Sequence, residues 1–178
     1  MEYGFICFAY SKNETIAKII AKVTSSQWSH SFITVPPILG EEVVMEAASN
    51  GIDMTLFDLS YRNNPNESYE VYKFLVKPEK IDHSIVKCMK KLESSYAYLE
   101  LPWFIWRALN KKLGRDIKSH NNWSTNGLVC SGLVRKFIEN AGQGALLSGF
   151  GRDAVAPQDI YEIVLAHPEL FQLVEKKV

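Results

Sequence analysis

The chain has 178 residues, of which 47% are hydrophobic and 22% are charged, and its formal net charge is zero. This composition is that of an ordinary folded protein with a hydrophobic core, and it excludes wholesale disorder. The charge balance excludes a global attraction to nucleic acid or to an anionic membrane, which leaves only local patches for such contacts.

The predicted strands are concentrated in the first half of the chain, where apolar or alternating runs are separated by turn residues. They cover residues 3–9, 28–35, 42–48, 51–57 and 69–76. The Asn50-Gly51 step predicts a tight hairpin between the third and fourth strands. Alternation along the second strand predicts that Trp28, His30 and Phe32 share one face. A polar loop, YRNNPNES, precedes the fifth strand.

Helical periodicity is found over residues 15–23, with Asn13 as a candidate N-cap, and again over residues 78–92. In the second of these helices the inward positions are Ile81, Ile85, Cys88 and Met89. An aromatic-rich segment after Pro102 is also predicted to be helical.

A later helix is predicted from the region of Cys130 to about Asn140, and Gly142 is a natural stop for it. Residues 156–177 are predicted to form a strand or a short helix, followed by a tail. The most economical organisation is one α+β domain over residues 1–178.

Cys130 lies on the first turn of that later helix, where the polar stretch SHNNWSTN gives way to an apolar pattern. A thiol is mostly protonated at neutral pH, and the positive end of a helix and a nearby imidazolium both lower its pKa. Three residues that precede this helix are candidate N-caps, namely Ser124, Thr125 and Asn126. The alternative is that Cys130 is a small apolar core residue, as we expect for Cys7 and Cys88.

His30 differs from the other histidines because it lies within a predicted strand. His83, His120 and His167 fall in polar or helix-terminal surroundings, and we expect them to be solvated surface residues. A core histidine that bonds to a serine hydroxyl or a backbone carbonyl is the alternative interpretation of His30.

Glu46 interrupts the apolar run VVMEAA in the strand that follows His30. A carboxylate is costly to bury without a partner. An adjacent antiparallel strand would set Glu46 opposite His30, where it would fix the tautomer and stabilise the imidazolium. The alternative is that Glu46 faces solvent, because alternation places it on the same face as Val44.

The order His30, Glu46, Cys130 resembles the permuted branch of the NlpC-type cell-wall peptidase superfamily. This branch includes YiiX-like proteins and lecithin–retinol acyltransferase-like enzymes. The matching segments are WSHSFI (28–33), VVMEAASNGI (43–52), SSYAYLELPW (94–103) and VCSGLVRKFIENAG (129–142). The resemblance extends over about residues 3–165. The family often has a Gly-Asp dipeptide before its first strand, whereas Tyr3-Gly4 stands here, and we interpret Gly4 as structural.

The resemblance implies a papain-like α+β fold, circularly permuted as in the NlpC type, with a mainly antiparallel sheet packed against the cysteine-bearing helix. It also implies that Cys130 is the nucleophile, His30 the general base and Glu46 the orienting group. The implied activity is cleavage of an amide bond, in a cell-wall peptide or a related amide, through an acyl-enzyme.

An oxyanion formed in that reaction needs hydrogen-bond donors, and the backbone N–H of Cys130 is the natural first one. Candidates for a second donor or for substrate contacts are Tyr96, Tyr98, Ser29 and Trp103. Trp103 belongs to an aromatic cluster with Phe104 and Trp106. The cluster forms either core or a groove wall, or else it forms a lid or apolar subsite above Cys130 or a surface that meets lipid.

Two other functions remain open. One is a lipid acyltransferase or thioesterase with the same thiol chemistry, which the aromatic segment favours. The other is a catalytically silent binding or structural module of the same fold. We expect a peptide or an acyl-amide or ester as substrate, no nucleic-acid partner and no stable membrane insertion, and the oligomeric state is left open.

The three cysteines are far apart and have no CxxC spacing, so we expect no disulfide framework, no metal site and no cofactor. The N-terminal stretch MEYGFICFAY lacks a basic region and a small-residue cleavage site, which predicts no secretory signal. The apolar run LPWFIWRAL is too short to span a bilayer. We therefore expect a cytoplasmic protein at synthesis, and one delivered by a phage particle or a secretion device would look the same.

Overall fold

The computed structural model describes residues 2–14, 17–18, 21–22, 26–48, 51–92, 106, 110, 113, 115, 129–150 and 155–178. Its strands are β1 (Phe5–Ser11), β2 (His30–Ile38), β3 (Glu41–Ala48), β4 (Gly51–Leu56), β5 (Glu67–Phe74) and β6 (Phe171–Lys177). They form a six-stranded sheet in the order β4-β3-β2-β1-β5-β6, and neighbouring strands are antiparallel. The strands that carry His30 and Glu46 are therefore neighbours.

The α-helices that the structure delimits are α1 (Pro78–Met89), α2 (Cys130–Ile138) and α3 (Pro157–Ala166). A π-helical turn, Asp58–Arg62, lies between β4 and β5, and another, Glu139–Gln143, follows α2. Gly142 has a φ of 83°, which is the left-handed conformation typical of the residue after a helix, so its predicted role as a stop is confirmed. A short 3-10 helix, Gly144–Leu147, comes next.

The sheet has two apolar faces because side chains alternate along each strand. One face carries Ile6, Ile33 and Met45, and it is covered by α1, α2 and α3. α2 packs mainly against β2 and β3 on this face. The opposite face, here called the aromatic face, is formed by Phe32, Phe57, Tyr61 and Tyr69 with the smaller residues Cys7, Ala9, Val44 and Val71.

The five predicted strands, the hairpin between β3 and β4 and the helix after Lys77 are confirmed. The predicted position of Trp28 is wrong. Because β2 begins at His30, Trp28 lies outside its alternation and joins the helix-covered face, with its ring 5.8 Å from that of Tyr161. Met89 was expected to point inward, but at the end of α1 it is 39% exposed.

The end of the chain is a strand and not the predicted tail. β6 pairs with β5 from Phe171 opposite Phe74 to Lys177 opposite Tyr69. Phe171 is buried, whereas the rest of β6 is exposed or half-buried, so its sequence lacks a clear alternation. Backbone pairing with β5 therefore defines this edge strand more than its own apolar pattern does.

Parts of the sequence prediction lie outside the described residues. Of the predicted helix at 15–23, residues 17–18 and 21–22 are described and helical, and Ala17 is buried. In the aromatic segment after Pro102, Trp106 is described and is 49% exposed.

We expect Gly4→Ala to lower the free energy of unfolding by about 2–4 kcal/mol, because two costs combine. Gly4 has a φ of 78°, which strains any residue with a side chain, and an added Cβ would collide with Cγ2 of Ile81 in α1. Gly40→Ala is the matched control, since Gly40 has a φ of 88° but no atom within 4 Å of an added Cβ. Urea unfolding should show a smaller loss for Gly40→Ala, and equal losses would contradict the close packing of Gly4 on α1.

Candidate functional site

The imidazole of His30, at the start of β2, faces the carboxylate of Glu46 in β3. His30 Nε2 and Glu46 Oε2 are 2.8 Å apart. The register of the two strands pairs Ile33 with Met45, so its continuation by one residue sets Glu46 beside Phe32. His30 and Glu46 are therefore diagonal neighbours on the aromatic face. Glu46 is only 7% exposed, so the alternative in which it faces solvent is wrong.

Glu46 is buried as an ion because its carboxylate is surrounded by hydrogen-bond donors. Thr55 Oγ1, on the neighbouring strand β4, donates to Oε1 at 2.8 Å. The hydroxyl of Tyr61, on the π-helical turn after β4, donates to Oε2 at 2.5 Å. With His30 Nε2 on the same Oε2, both oxygens are satisfied, which removes most of the cost of burying the charge.

Cys130 is the first residue of α2, and Val129 occupies the N-cap position with extended backbone angles. The cap that was predicted from Ser124, Thr125 or Asn126 is therefore wrong, and those residues lie outside the described ranges. The first hydrogen bond of the helix runs from the N–H of Leu133 to the carbonyl of Val129. The N–H groups that precede Leu133 have no carbonyl partner within the helix, so they create positive potential around the thiol.

The thiol of Cys130 interacts with the imidazole of His30 closely enough for each group to shift the pKa of the other. Since Nε2 of His30 is engaged by Glu46, Nδ1 is the ring nitrogen left for the sulfur. The backbone N–H groups of Ser31 and Ser131 also lower the pKa of this thiol. The start of β2 and the start of α2 therefore meet at one sulfur atom.

The pKa values of the three groups are shifted in directions that favour charge separation. Burial alone would lower the pKa of His30, but its hydrogen bonds with Cys130 and Glu46 and the negative charges of both raise it to about 10. Burial alone would raise the pKa of Glu46, but hydrogen bonds from His30, Tyr61 and Thr55 and the charge of His30 lower it to about 2.

The pKa of the Cys130 thiol lies below its ordinary value. Burial opposes this shift, and the hydrogen bond and positive charge of His30, with the backbone N–H groups, outweigh it. At neutral pH the site therefore favours a thiolate beside an imidazolium. Cys7 and Cys88 are fully buried core residues, as predicted, and burial raises the pKa of each thiol.

The other histidines do not join the site within the described residues. His83 is exposed on α1, and His167 is half-buried with Nδ1 2.9 Å from Glu169 Oε1. His120 lies outside the described residues.

The candidate substrate and oxyanion residues stay predictions. Tyr96, Tyr98 and Trp103 lie outside the described ranges. Ser29 precedes β2 and is buried, and its hydroxyl donates to the carbonyl of Ala9 at 3.4 Å.

Sequence reasoning missed Thr55 and Tyr61. Nothing local in the sequence indicates Thr55, because its contact with Glu46 depends on the register of β3 and β4. Tyr61 falls in the predicted polar loop, although Phe57 and Tyr61 have the i, i+4 spacing of two aromatics on one helical turn. That spacing is the signal that would have indicated a buried turn at this point.

No family model matches the chain, and no curated protein matches it. Among solved structures it is similar to the crystal structure of the metalloprotein YiiX from Escherichia coli O157:H7, with a TM-score of 0.58 and 17% identity. The match covers 99% of this chain and 97% of that one. The chain has a YiiX-like fold. This confirms the YiiX-like resemblance at the level of the α+β fold, whereas the NlpC-type permutation stays a prediction.

Over the ranges that the structure describes, no group of three or more His, Cys, Asp or Glu side chains is arranged to hold a metal ion. Within the same ranges, no helix has both the length and the apolar character that a membrane span requires.

We expect the stabilising effect of Glu46 to disappear as the pH falls from about 5 to 2. Because its pKa is lowered from 4.5 to about 2 on folding, the ionised carboxylate stabilises the fold above pH 4.5, by on the order of 3 kcal/mol. The difference in unfolding free energy between the natural protein and Glu46→Gln should therefore shrink across this window. Urea unfolding at a series of pH values measures it, and a constant difference would contradict the lowered pKa.

Proposed function

We propose that this protein is a thiol hydrolase that cleaves an amide bond, in a cell-wall peptide or a related amide, through an acyl-enzyme on Cys130. The observation that carries the proposal is that one imidazole, that of His30, contacts both Glu46 and Cys130. A nucleophilic thiol needs an adjacent base, and the base needs a third group to orient it. Three residues in these roles, in the order of the permuted NlpC-type peptidases, support a papain-like mechanism.

In the first half of the reaction, the thiolate of Cys130 attacks the carbonyl carbon, and the carbonyl π electrons move to oxygen. The tetrahedral intermediate then collapses and the C–N bond breaks. The imidazolium of His30 gives its proton to the leaving nitrogen, so that an amine departs and a thioester remains on Cys130. Glu46 keeps its charge and holds the ring by Nε2.

In the second half, neutral His30 takes a proton from a water molecule, whose oxygen attacks the thioester carbon. The C–S bond breaks, the carboxylic acid product leaves, and the thiolate–imidazolium pair is restored. The oxyanion of each intermediate is stabilised by backbone N–H groups at the start of α2, with the N–H of Cys130 as the first donor.

YiiX is a metalloprotein, but the residues of the site in this chain do not fit a metal ion. Both oxygens of Glu46 accept hydrogen bonds from side chains, from Thr55 on Oε1 and from Tyr61 on Oε2. Nε2 of His30 is directed at the same carboxylate. These donor atoms are occupied by one another, and we derive no step through a metal.

We expect iodoacetamide at pH 6 to alkylate Cys130 at least about 10-fold faster than Cys7 or Cys88, because the attacking species is the thiolate. His30→Ala should abolish this preference, since it removes the imidazolium. His83→Ala, which changes an exposed histidine on α1, is the matched control and should leave the rate unchanged. Mass spectrometry of the labelled peptides measures each cysteine separately.

The same labelling, run with and without a chelator, also tests for a metal. Selective labelling that does not depend on the chelator supports the proposal. Equal and slow labelling of all three cysteines would contradict the proposal and favour a catalytically silent binding module. A rate that rises when the chelator is added would indicate a metal-bound thiol and would contradict the mechanism above.

A lipid acyltransferase or thioesterase is the second candidate, and the observation that favours it is the exposed indole of Trp106 in the aromatic segment. We expect peptidoglycan fragments to be cleaved with release of an amine, and Cys130→Ser to abolish the cleavage. A parallel assay with acyl esters separates the two candidates. Turnover of the esters alone would overturn the amidase and favour the lipid enzyme.

A further inference from the structure

Tyr61 makes the shortest of the hydrogen bonds to the carboxylate of Glu46. Its hydroxyl donates to Oε2 at 2.5 Å, and the same oxygen lies 2.8 Å from His30 Nε2. Thr55 donates to the other oxygen, Oε1. Tyr61 therefore holds the oxygen that contacts the imidazole, whereas Thr55 holds the one that does not.

The ring of Tyr61 is fixed within the aromatic face. It stacks on Phe32 with the ring centroids 4.3 Å apart and the planes 20° from parallel. Phe57 contacts it at a centroid distance of 5.8 Å, and Tyr61 as a whole is only 6% exposed. A hydroxyl on a ring held in this way is a fixed point against which a carboxylate can be oriented.

The backbone around Tyr61 is anchored by β6. Nζ of Lys177 donates to the carbonyls of Tyr61, Arg62 and Asn64. Arg62 binds both carboxylate oxygens of Glu175, with Nε at 3.0 Å and a terminal nitrogen at 2.8 Å. The edge strand therefore holds the π-helical turn in place, and with it the hydroxyl that reaches Glu46.

We propose that Tyr61 is a positioning residue for the Cys130–His30 pair, because its hydroxyl holds Glu46 Oε2 against His30 Nε2 and so keeps Nδ1 directed at the sulfur. This inference rests on the proposed function, since it assigns Tyr61 a role in activating the same thiol. Without the hydroxyl, Glu46 keeps Thr55 on Oε1 but is free to turn away from the ring. An imidazole that has lost its carboxylate stabilises the thiolate less.

Other titratable groups also lie around this network. Glu67 of β5 and Cys7 of β1 contribute to raising the pKa of the Tyr61 hydroxyl. Asp53 lies opposite Glu46 in the register of β3 and β4. None of these three is changed in the variants below, so differences between the variants report on the hydroxyl itself.

The test compares Tyr61→Phe with Tyr69→Phe. Tyr69 is a matched control because it is buried on the same aromatic face and its hydroxyl also donates to a glutamate, Glu175, at 2.5 Å. We expect Tyr61→Phe to slow the alkylation of Cys130 at pH 6 by about 10-fold, the equivalent of one hydrogen bond to a charged group. It should also move the acidic limb of the pH profile to higher pH, whereas Tyr69→Phe should change neither.

A double variant separates positioning from a general structural effect. If Tyr61 acts through Glu46, Tyr61→Phe should have no further effect on alkylation in a Glu46→Gln background. Additive losses would overturn the proposal. If Tyr61→Phe does not fold, Lys177→Met removes the ammonium that binds the carbonyls of Tyr61, Arg62 and Asn64 and leaves the ring itself unchanged. We then expect slower alkylation of Cys130, and an unchanged rate would overturn the idea that a fixed Tyr61 hydroxyl positions Glu46.

The outcomes distinguish this inference from the proposed function. If Cys130 of the natural protein shows no selective labelling, the proposed function fails, and the role of Tyr61 fails with it. If labelling is selective and depends on His30, but Tyr61→Phe behaves like Tyr69→Phe or reacts faster, the role of Tyr61 alone is overturned.

Discussion

The candidate site depends on one imidazole that lies between a buried carboxylate and a buried thiol. His30 Nε2 is 2.8 Å from Glu46 Oε2, and the same ring interacts with Cys130. A carboxylate that is only 7% exposed would be costly without partners, and Thr55, Tyr61 and His30 supply them. The role that we propose for this buried charge is to hold a second charge beside a sulfur.

The two faces of the sheet contribute different parts of this arrangement. The helix-covered face holds the start of α2, where N–H groups without a carbonyl partner in the helix favour a thiolate on Cys130. The aromatic face holds the carboxylate of Glu46 through the hydroxyl of Tyr61, whose ring stacks on Phe32. His30, the first residue of β2, lies where the contributions of both faces meet. Cys7 and Cys88 have no such surroundings, which is why burial makes them less acidic and not more.

The similarity to YiiX extends along nearly the whole chain, yet only 17% of the aligned residues are identical. At this level the comparison concerns the fold, and one fold supports many different functions. The functional proposal therefore rests on the chemistry of this chain's own side chains. In particular, it rests on one imidazole that lies 2.8 Å from a buried carboxylate and interacts with a thiol on the first turn of a helix.

Local patterns in the sequence determined the strands, the β3–β4 hairpin and the helix after Lys77, because alternation and turn residues are visible within a few positions. The choice of Cys130, His30 and Glu46 was also local, since a carboxylate in an apolar run is visible in the same way. Thr55, Tyr61, Trp28 and β6 were not predictable in this way. Their contacts depend on strand register, on where β2 begins and on pairing with a distant strand. Only the tertiary structure decided that the imidazole meets the sulfur, because that contact requires segments far apart in sequence to close on each other, and no local preference specifies it.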